Sequence, residues 1–369
     1  MKAHIFSLKS FLAAFACAVV ASTVLTFGAG VPSGFAALAT AAAQDSDKDK
    51  DKSKEKAPKV SEGERKAAQK INDAKDAAAK FQAASEFIKK YPQSTLRPQV
   101  VGLIATQIQG VQDVGQRISL AESFMNTFTE ASDANLMYPV LVESYIASKR
   151  VEDAFNAGSS WLESNPNEVG ALYLLSVTGA DEARRNNPKF LQQSQQYGLK
   201  AIQLIEADQR PPSMDAETWT KNKSVWLPQL YQSMGFISML GGSTTEALTR
   251  LQKASTLNPT DPFNYVLIGS IKNQDYEQMA KLYKLMPDGA EKTQLLDKIN
   301  TRLDEIIDAY AHAVATAQGR AEYKQLHDQL LGDLQNYYKF RHKSSDGLQK
   351  LIDKYKPTTA TTTTPSTPQ

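Results

Sequence analysis

The sequence is short of the residues on which most protein chemistry depends. Of its 369 residues one is cysteine, Cys17, and four are histidine. It contains no Gly-x-x-x-x-Gly-Lys-Ser/Thr loop to cradle phosphates and no His-Glu-x-x-His pair to hold zinc. It also lacks the Gly-x-Ser-x-Gly elbow that exposes a serine nucleophile. A single cysteine excludes an internal disulfide and a multi-thiolate metal site. His312, His327 and His342 are spaced fifteen residues apart, about 22 Å along one continuous helix, which is too far to share a metal. Asp308 and His312 lie four apart on one helix face, as a ligand pair or an exposed ion pair. Without a third ligand they make no metal site. Sequence signals therefore support no catalytic residue, no cofactor-binding residue and no metal ligand.

Excess charge of one sign is also missing. Lys plus Arg number 42 and Asp plus Glu 40. Nucleic-acid binding needs a basic face to neutralise phosphates, so this balance argues against a nucleic-acid partner.

Both ends are unlike the middle. Lys2 and Lys9 precede a stretch from Ser10 to Gln44 that carries no charge. Within it an apolar run from Phe11 to Phe27 gives way to small residues ending Ala41-Ala42-Ala43. That order is the order of a secretory signal peptide, cut after Ala43. If residues 11–43 stay uncut, they form a membrane tether instead. A lipid anchor on Cys17 is a poorer fit, because Phe15 stands two positions before it and the apolar run continues past it. Cleavage removes Lys2, Lys9 and Cys17. It leaves a cysteine-free chain with 40 basic and 40 acidic residues, placed by this signal in a bacterial periplasm or cell envelope, or secreted. Residues 44–60 alternate acids with lysines and have too little apolar surface to fold, so they read as a disordered charged linker. Residues 357–369, rich in Thr and Pro, read as a disordered tail.

From 61 to 356 the apolar residues recur at helical steps and no stretch alternates as a strand does. Ile71, Ala74, Ala78, Phe81, Ala84 and Ile88 fall on one stripe, predicting one helix that stops at Tyr91-Pro92. Leu296, Ile299, Leu303, Ile306, Tyr310 and Val314 predict a second. Pro92, Pro166, Pro188, Pro211, Pro212, Gly241, Gly242, Pro259, Pro262 and Pro287 fall between helices, which predicts a series of helix pairs.

Residues 228–261 make the best-defined pair. Gly235 permits close approach in the first helix, and Gly242 occupies the turn. Ala247, Leu251 and Ala254 face inward from the second helix, and Pro259 closes the unit. This pattern resembles a tetratricopeptide repeat unit, with Ser238 standing where that family usually has an aromatic. Residues 135–168 resemble a second unit through Tyr145, Ala154 and Pro166, departing at Val142 and Gly158. Residues 63–95 resemble the second half of another, ending Tyr91-Pro92-Gln93-Ser94 as in bacterial envelope proteins of this type. Residues 262–286 restart with Tyr265, Ile268 and Gly269 and then shorten, and residues 169–210 hold two helices around an Asn-Asn-Pro linker. The Gly241-Gly242-Ser243-Thr244 stretch then reads as a hairpin turn rather than a phosphate loop.

The resemblance implies an all-α fold: an α-solenoid of antiparallel helix pairs over 61–290, closed by a C-terminal helical cap over 291–356. It also implies an exported, non-enzymatic scaffold that binds a protein partner on a concave surface lined by first-helix residues. Carried onto this chain, those residues are Gln232, Phe236, Met239 and Leu240, with Leu136, Glu143 and Ile146 in the weaker unit. The competing expectation is that these side chains bury against an adjacent helix. Two other functions stay open. One is an accessory factor of envelope assembly, secretion or cell-wall machinery. The other is an enzyme or solute-binding protein with its site between repeats and cap.

Overall fold

The computed structural model describes residues 60–212 and 214–356. The expected signal peptide, most of the expected charged linker and the Thr/Pro tail lie outside the described residues. Among those described, the chain is all helix and turn, with no strand. Fourteen α-helices follow in order. The first six are α1 (Glu62–Asp73), α2 (Ala77–Lys90), α3 (Arg97–Gln109), α4 (Val114–Thr127), α5 (Ala131–Ala147) and α6 (Val151–Ser164). The next four are α7 (Val169–Arg184), α8 (Leu191–Glu206), α9 (Ala216–Leu240) and α10 (Thr244–Leu257). The last four are α11 (Pro262–Leu285), α12 (Ala290–Ala317), α13 (Lys324–His342) and α14 (Leu348–Lys354). None of them is long and apolar enough to cross a membrane.

The helices come in pairs, in a tetratricopeptide-like arrangement. Helices α1, α3, α5 and α7 begin 35, 34 and 38 residues apart, and α9 and α11 follow at 47 and 46. Short polar links between helices carry their own caps. Ser61 and Glu64 form a reciprocal capping box at α1. Asp76 accepts from the Ala79 amide at 2.8 Å to open α2, Asp113 accepts from Gln116 at 2.7 Å to open α4, and Asp261 accepts from Phe263 at 2.9 Å to open α11.

Chain contacts divide the described residues into two units, 60–175 with 209–219, and 176–208 with 220–356. In the first unit, Ile71, Phe87, Ile104, Ile108, Phe124 and Met137 are among the wholly buried apolar residues that hold α1 to α5 together. Successive helices pack, and so do α2 with α4 and α3 with α5. In the second unit one cluster joins Phe236 and Met239 of α9 to Leu251 of α10 and Leu267 of α11. A second joins Val266 of α11, Ile306 and Val314 of α12, Leu330 and Leu334 of α13, and Ile352 of α14.

Two sequence readings are corrected here. The stripe from Ile71 to Ile88 is two helices, because Asp76 caps a new start and the backbone at Ala74 is extended. A stripe can keep its phase across a three-residue link, so periodicity alone does not show the break. Residues 262–286 do not shorten: α11 is one helix of 24 residues. It shares its apolar cluster with α12.

The predicted glycine roles have a structural cause. Gly242 adopts φ +75°, a conformation open to glycine at little cost. A Cβ at Gly235 would sit 2.7 Å from Leu251 Cγ, and one at Gly158 would sit 2.5 Å from Leu175 Cδ1. Gly158 is therefore the small residue that lets a leucine in. Ser238 is buried, and its hydroxyl meets Arg250 Nη1 at 2.7 Å and Glu246 Oε2 at 3.2 Å. The arginine reaches over from α10 to a position where tetratricopeptide units usually have a ring.

Candidate partner-binding site

The seven sequence-predicted groove residues fall into three classes. Phe236 is wholly buried and Met239 nearly so, both in the cluster shared by α9, α10 and α11. They are core residues, which corrects their assignment to a groove. The cause is tertiary: Leu251 and Leu267 close over that side of α9. Gln232 is partly exposed, and its amide donates to Asp261 Oδ2 at 2.8 Å and Asn264 Oδ1 at 2.9 Å. It braces the start of α11. Burial raises the Asp261 carboxyl above its ordinary value, against the hydrogen bonds from Phe263 and Gln232 and the charges of Arg184 and Arg320. Leu240 is 40% exposed at the end of α9.

The other three residues share one face of α5. Leu136 is 39% exposed, and Glu143 and Ile146 are partly exposed. Pro139 lies between them on the same face, inside the helix. Opposite that face, Asp133, Met137, Leu141 and Tyr145 are buried. Tyr145, the predicted family aromatic, donates its hydroxyl to Glu122 at 2.9 Å and lies 4.5 Å under the Arg150 guanidinium.

Glu143 is the chemically unusual member. Its Oε1 is sealed from solvent and accepts no hydrogen bond. Burial pushes its carboxyl up to about 7, with the Arg117 charge pulling the other way. An acid whose folded value is raised holds its proton longer in the folded state than in the unfolded one. Its contribution to stability is then full below about 4.5 and is lost as pH rises through about 7. Glu143→Gln is expected to flatten that part of the stability curve, gaining on the order of 2 kcal/mol at pH 8. Urea unfolding of both proteins from pH 4 to 8 checks this, and parallel curves would refute it.

The histidines are dispersed. His312 is stacked between Tyr265 and Tyr355, with ring centroids 3.6 and 4.3 Å away. Asp308, its partner by spacing, is taken by the Tyr355 hydroxyl, with Lys354 Nζ at 3.8 Å. Burial drops His312 to about 4; Asp308 opposes this and Lys354 adds to it. Stability from this group is full above about 6.5 and is lost as pH falls toward 4. His312→Phe is expected to remove that acid loss in thermal unfolding between pH 4 and 7; an unchanged slope would refute it. His327 pairs with Asp328 at 3.1 Å, and His342 approaches Asp304 at 4.0 Å. Among the described residues no group of three or more His, Cys, Asp or Glu side chains could hold a metal ion.

No protein-family model matches the chain, and no curated protein does. Among solved structures it is similar to a tetratricopeptide repeat protein from Parabacteroides merdae, at 12% identity and a TM-score of 0.36, over 73% of this chain and 100% of that one. It is also similar to two monomeric mutants of IFIT1, one carrying a further asparagine-to-alanine substitution and solved with m7Gppp-AAAA, the other solved with Gppp-AAAA. Identity is 14% in both cases, with TM-scores of 0.34 and 0.35, over 75% and 79% of this chain. This chain spans 55% and 58% of those two structures. The helix pairs described above are seen directly and owe nothing to these likenesses.

Proposed function

We propose that this chain is an exported, non-enzymatic scaffold that binds a protein partner on the α5 face of its helix pairs. The observation that carries the reading is the α5 strip itself. Leu136, Pro139 and Ile146 line up on the first helix of a pair and stay partly open to solvent. Apolar side chains at helical spacing on an accessible face suit a partner helix or extended segment. The balance of 42 basic and 40 acidic residues supports a protein rather than a nucleic-acid partner. Export rests on the order of residues 1–43. Work in envelope assembly, secretion or the cell wall is the finer form of the same proposal.

Two measurements test it. Cell fractionation followed by N-terminal sequencing is expected to find an extracytoplasmic chain beginning at Gln44. A start at Cys17 would make it a lipoprotein, and an intact N-terminus in the membrane fraction a tethered scaffold. An intact chain in the cytosol would sink the export reading. A photo-crosslinking residue at Leu136 is expected to trap a reproducible protein adduct in cells, whereas one at exposed Lys66 does not. Equal trapping at both sites, or none at Leu136, would sink the scaffold reading.

A further inference from the structure

Helices α11 and α12 reach past the core that anchors them. Ile271 of α11 and Ile299 of α12 are buried, and no residue between them is. With a rise of about 1.5 Å per residue, α11 runs on for about 21 Å beyond Ile271 before it ends at Leu285. The two helices thus form an arm. Its base is stitched by Lys272 to Glu305 at 2.8 Å and by Arg302 to Asp275 at 2.7 Å. At its tip Lys292 holds Asp288 at 2.8 Å.

The outside of the arm is left open in two ways. Leu285 is 85% exposed, Leu282 52% and Leu296 38%. Lys281 and Lys284 on α11, and Glu291, Asp297 and Lys298 on α12, are exposed and form no ion pair among the described residues. The unpaired charges at the end of α11 are both cations, and the first two on α12 are both acids. Helices of this length draw most of their stability from tertiary packing, and here the outer part of each has only the other.

We propose that the arm pairs with the arm of a second copy of this chain, α11 of each lying along α12 of the other, to complete a four-helix bundle. A twofold contact makes each pairing twice, so Lys281 and Lys284 of each copy face Glu291 and Asp297 of the other. Leu282 and Leu285 are covered in the same contact. A lipid surface fits less well, because an anionic bilayer attracts the lysines and repels Glu291 and Asp297 among them. Two helices side by side, about 20 Å across and about 20 Å long, offer a face of about 400 Å². Both copies together then stay below the roughly 1,200–2,000 Å² of stable complexes. The dimer is therefore reversible, with a Kd in the micromolar range. The pairing does not depend on the α5 face.

Sedimentation equilibrium of the purified chain from about 1 to 100 µM is expected to show its mass rise from one chain toward two. Leu282→Glu with Leu285→Glu is expected to weaken association about tenfold or more. Its circular dichroism and thermal midpoint are expected to stay those of wild type, since both side chains are exposed. Lys281→Glu with Lys284→Glu makes the unpaired charges near the tip mostly acidic, and Glu291→Lys with Asp297→Lys makes them basic. Each variant alone is expected to associate less than wild type, and an equimolar mixture of the two is expected to regain association.

A wild type that stays monomeric throughout would overturn the inference. So would association unchanged by the leucine substitutions, which would place the contact elsewhere, residues 1–43 included. A mixture of the two charge variants no better than either alone would overturn the pairing of α11 with α12. A monomer that co-sediments with phosphatidylglycerol vesicles, and loses this in the leucine variant, would replace the second copy with a lipid surface.

Discussion

Phe236→Ala is expected to destabilise the protein by about 3–5 kcal/mol, while Leu240→Ala, four residues later on the same helix, stays within about 0.5 kcal/mol of wild type. Phe236 has no solvent-exposed surface and is enclosed by residues of α9, α10 and α11. On one side the Arg184 guanidinium lies 4.7 Å from its ring. Alanine would lose the transfer energy of a buried ring and leave a cavity that three packed helices cannot close. Leu240 stands where α9 ends and is 40% exposed, so truncation removes little buried surface. Urea unfolding followed by circular dichroism measures both. If Phe236→Ala unfolds at the wild-type midpoint and instead weakens partner cross-linking, Phe236 belongs to a binding surface and the core assignment is wrong.

Asp133→Ala is the second large effect, with an expected cost near the lower end of about 3–5 kcal/mol. Asp133 and Arg97 form a two-pronged pair, Oδ1 with Nη1 at 3.2 Å and Oδ2 with Nη2 at 2.5 Å. Their side chains are 5% and 14% exposed. The pair joins α3 to α5, two first helices of successive pairs. Removing the carboxylate strands a guanidinium in the interior, and the penalty is chiefly that of the unanswered charge. The loss is moderated because Glu130 Oε1, itself mostly exposed, stays 3.0 Å from Arg97 Nη2. The double variant Arg97→Met with Asp133→Ala is expected to recover much of the stability, since no charge is then left behind. Chemical unfolding of the single and double variants checks this. A double variant as unstable as the sum of its parts would show the pair acts through packing, not charge.

Most of the helices could be read from residue order, and the exposure of the expected groove residues only in part. Of the stripe from Leu296 to Val314, Ile299, Leu303, Ile306, Tyr310 and Val314 are buried on one face of α12, while Leu296 is 38% exposed. The stop at Tyr91-Pro92 is the end of α2. The pair α3–α4 carries no family glycine or proline pattern and escaped notice, although its 34-residue offset from α5 was available as a spacing. Pro139 and Pro228 are the opposite case: both lie inside helices, where the rule that proline separates helices fails because neighbouring helices hold the backbone in place. Of the expected groove residues, Leu136, Glu143 and Ile146 keep some exposure on α5, whereas Phe236 and Met239 are buried. Both sets have the same spacing on a first helix, so spacing could not tell them apart.

Residue order by itself determined what is local. The steps of three and four set the helices, and Asp76, Asp113 and Asp261 set where they begin. Gly242 set a turn that needs a positive φ. The order of residues 1–43 is the sole support for the export proposal. Only the tertiary structure decided what is covered. Whether an apolar first-helix residue becomes core or surface depends on which helix lies over it, and that contact joins residues far apart in the chain. Leu267 of α11 helps to bury Phe236, while the strip on α5 stays partly open. Tertiary packing likewise sealed the Glu143 Oε1 from solvent without a hydrogen-bond donor, which no helical spacing shows.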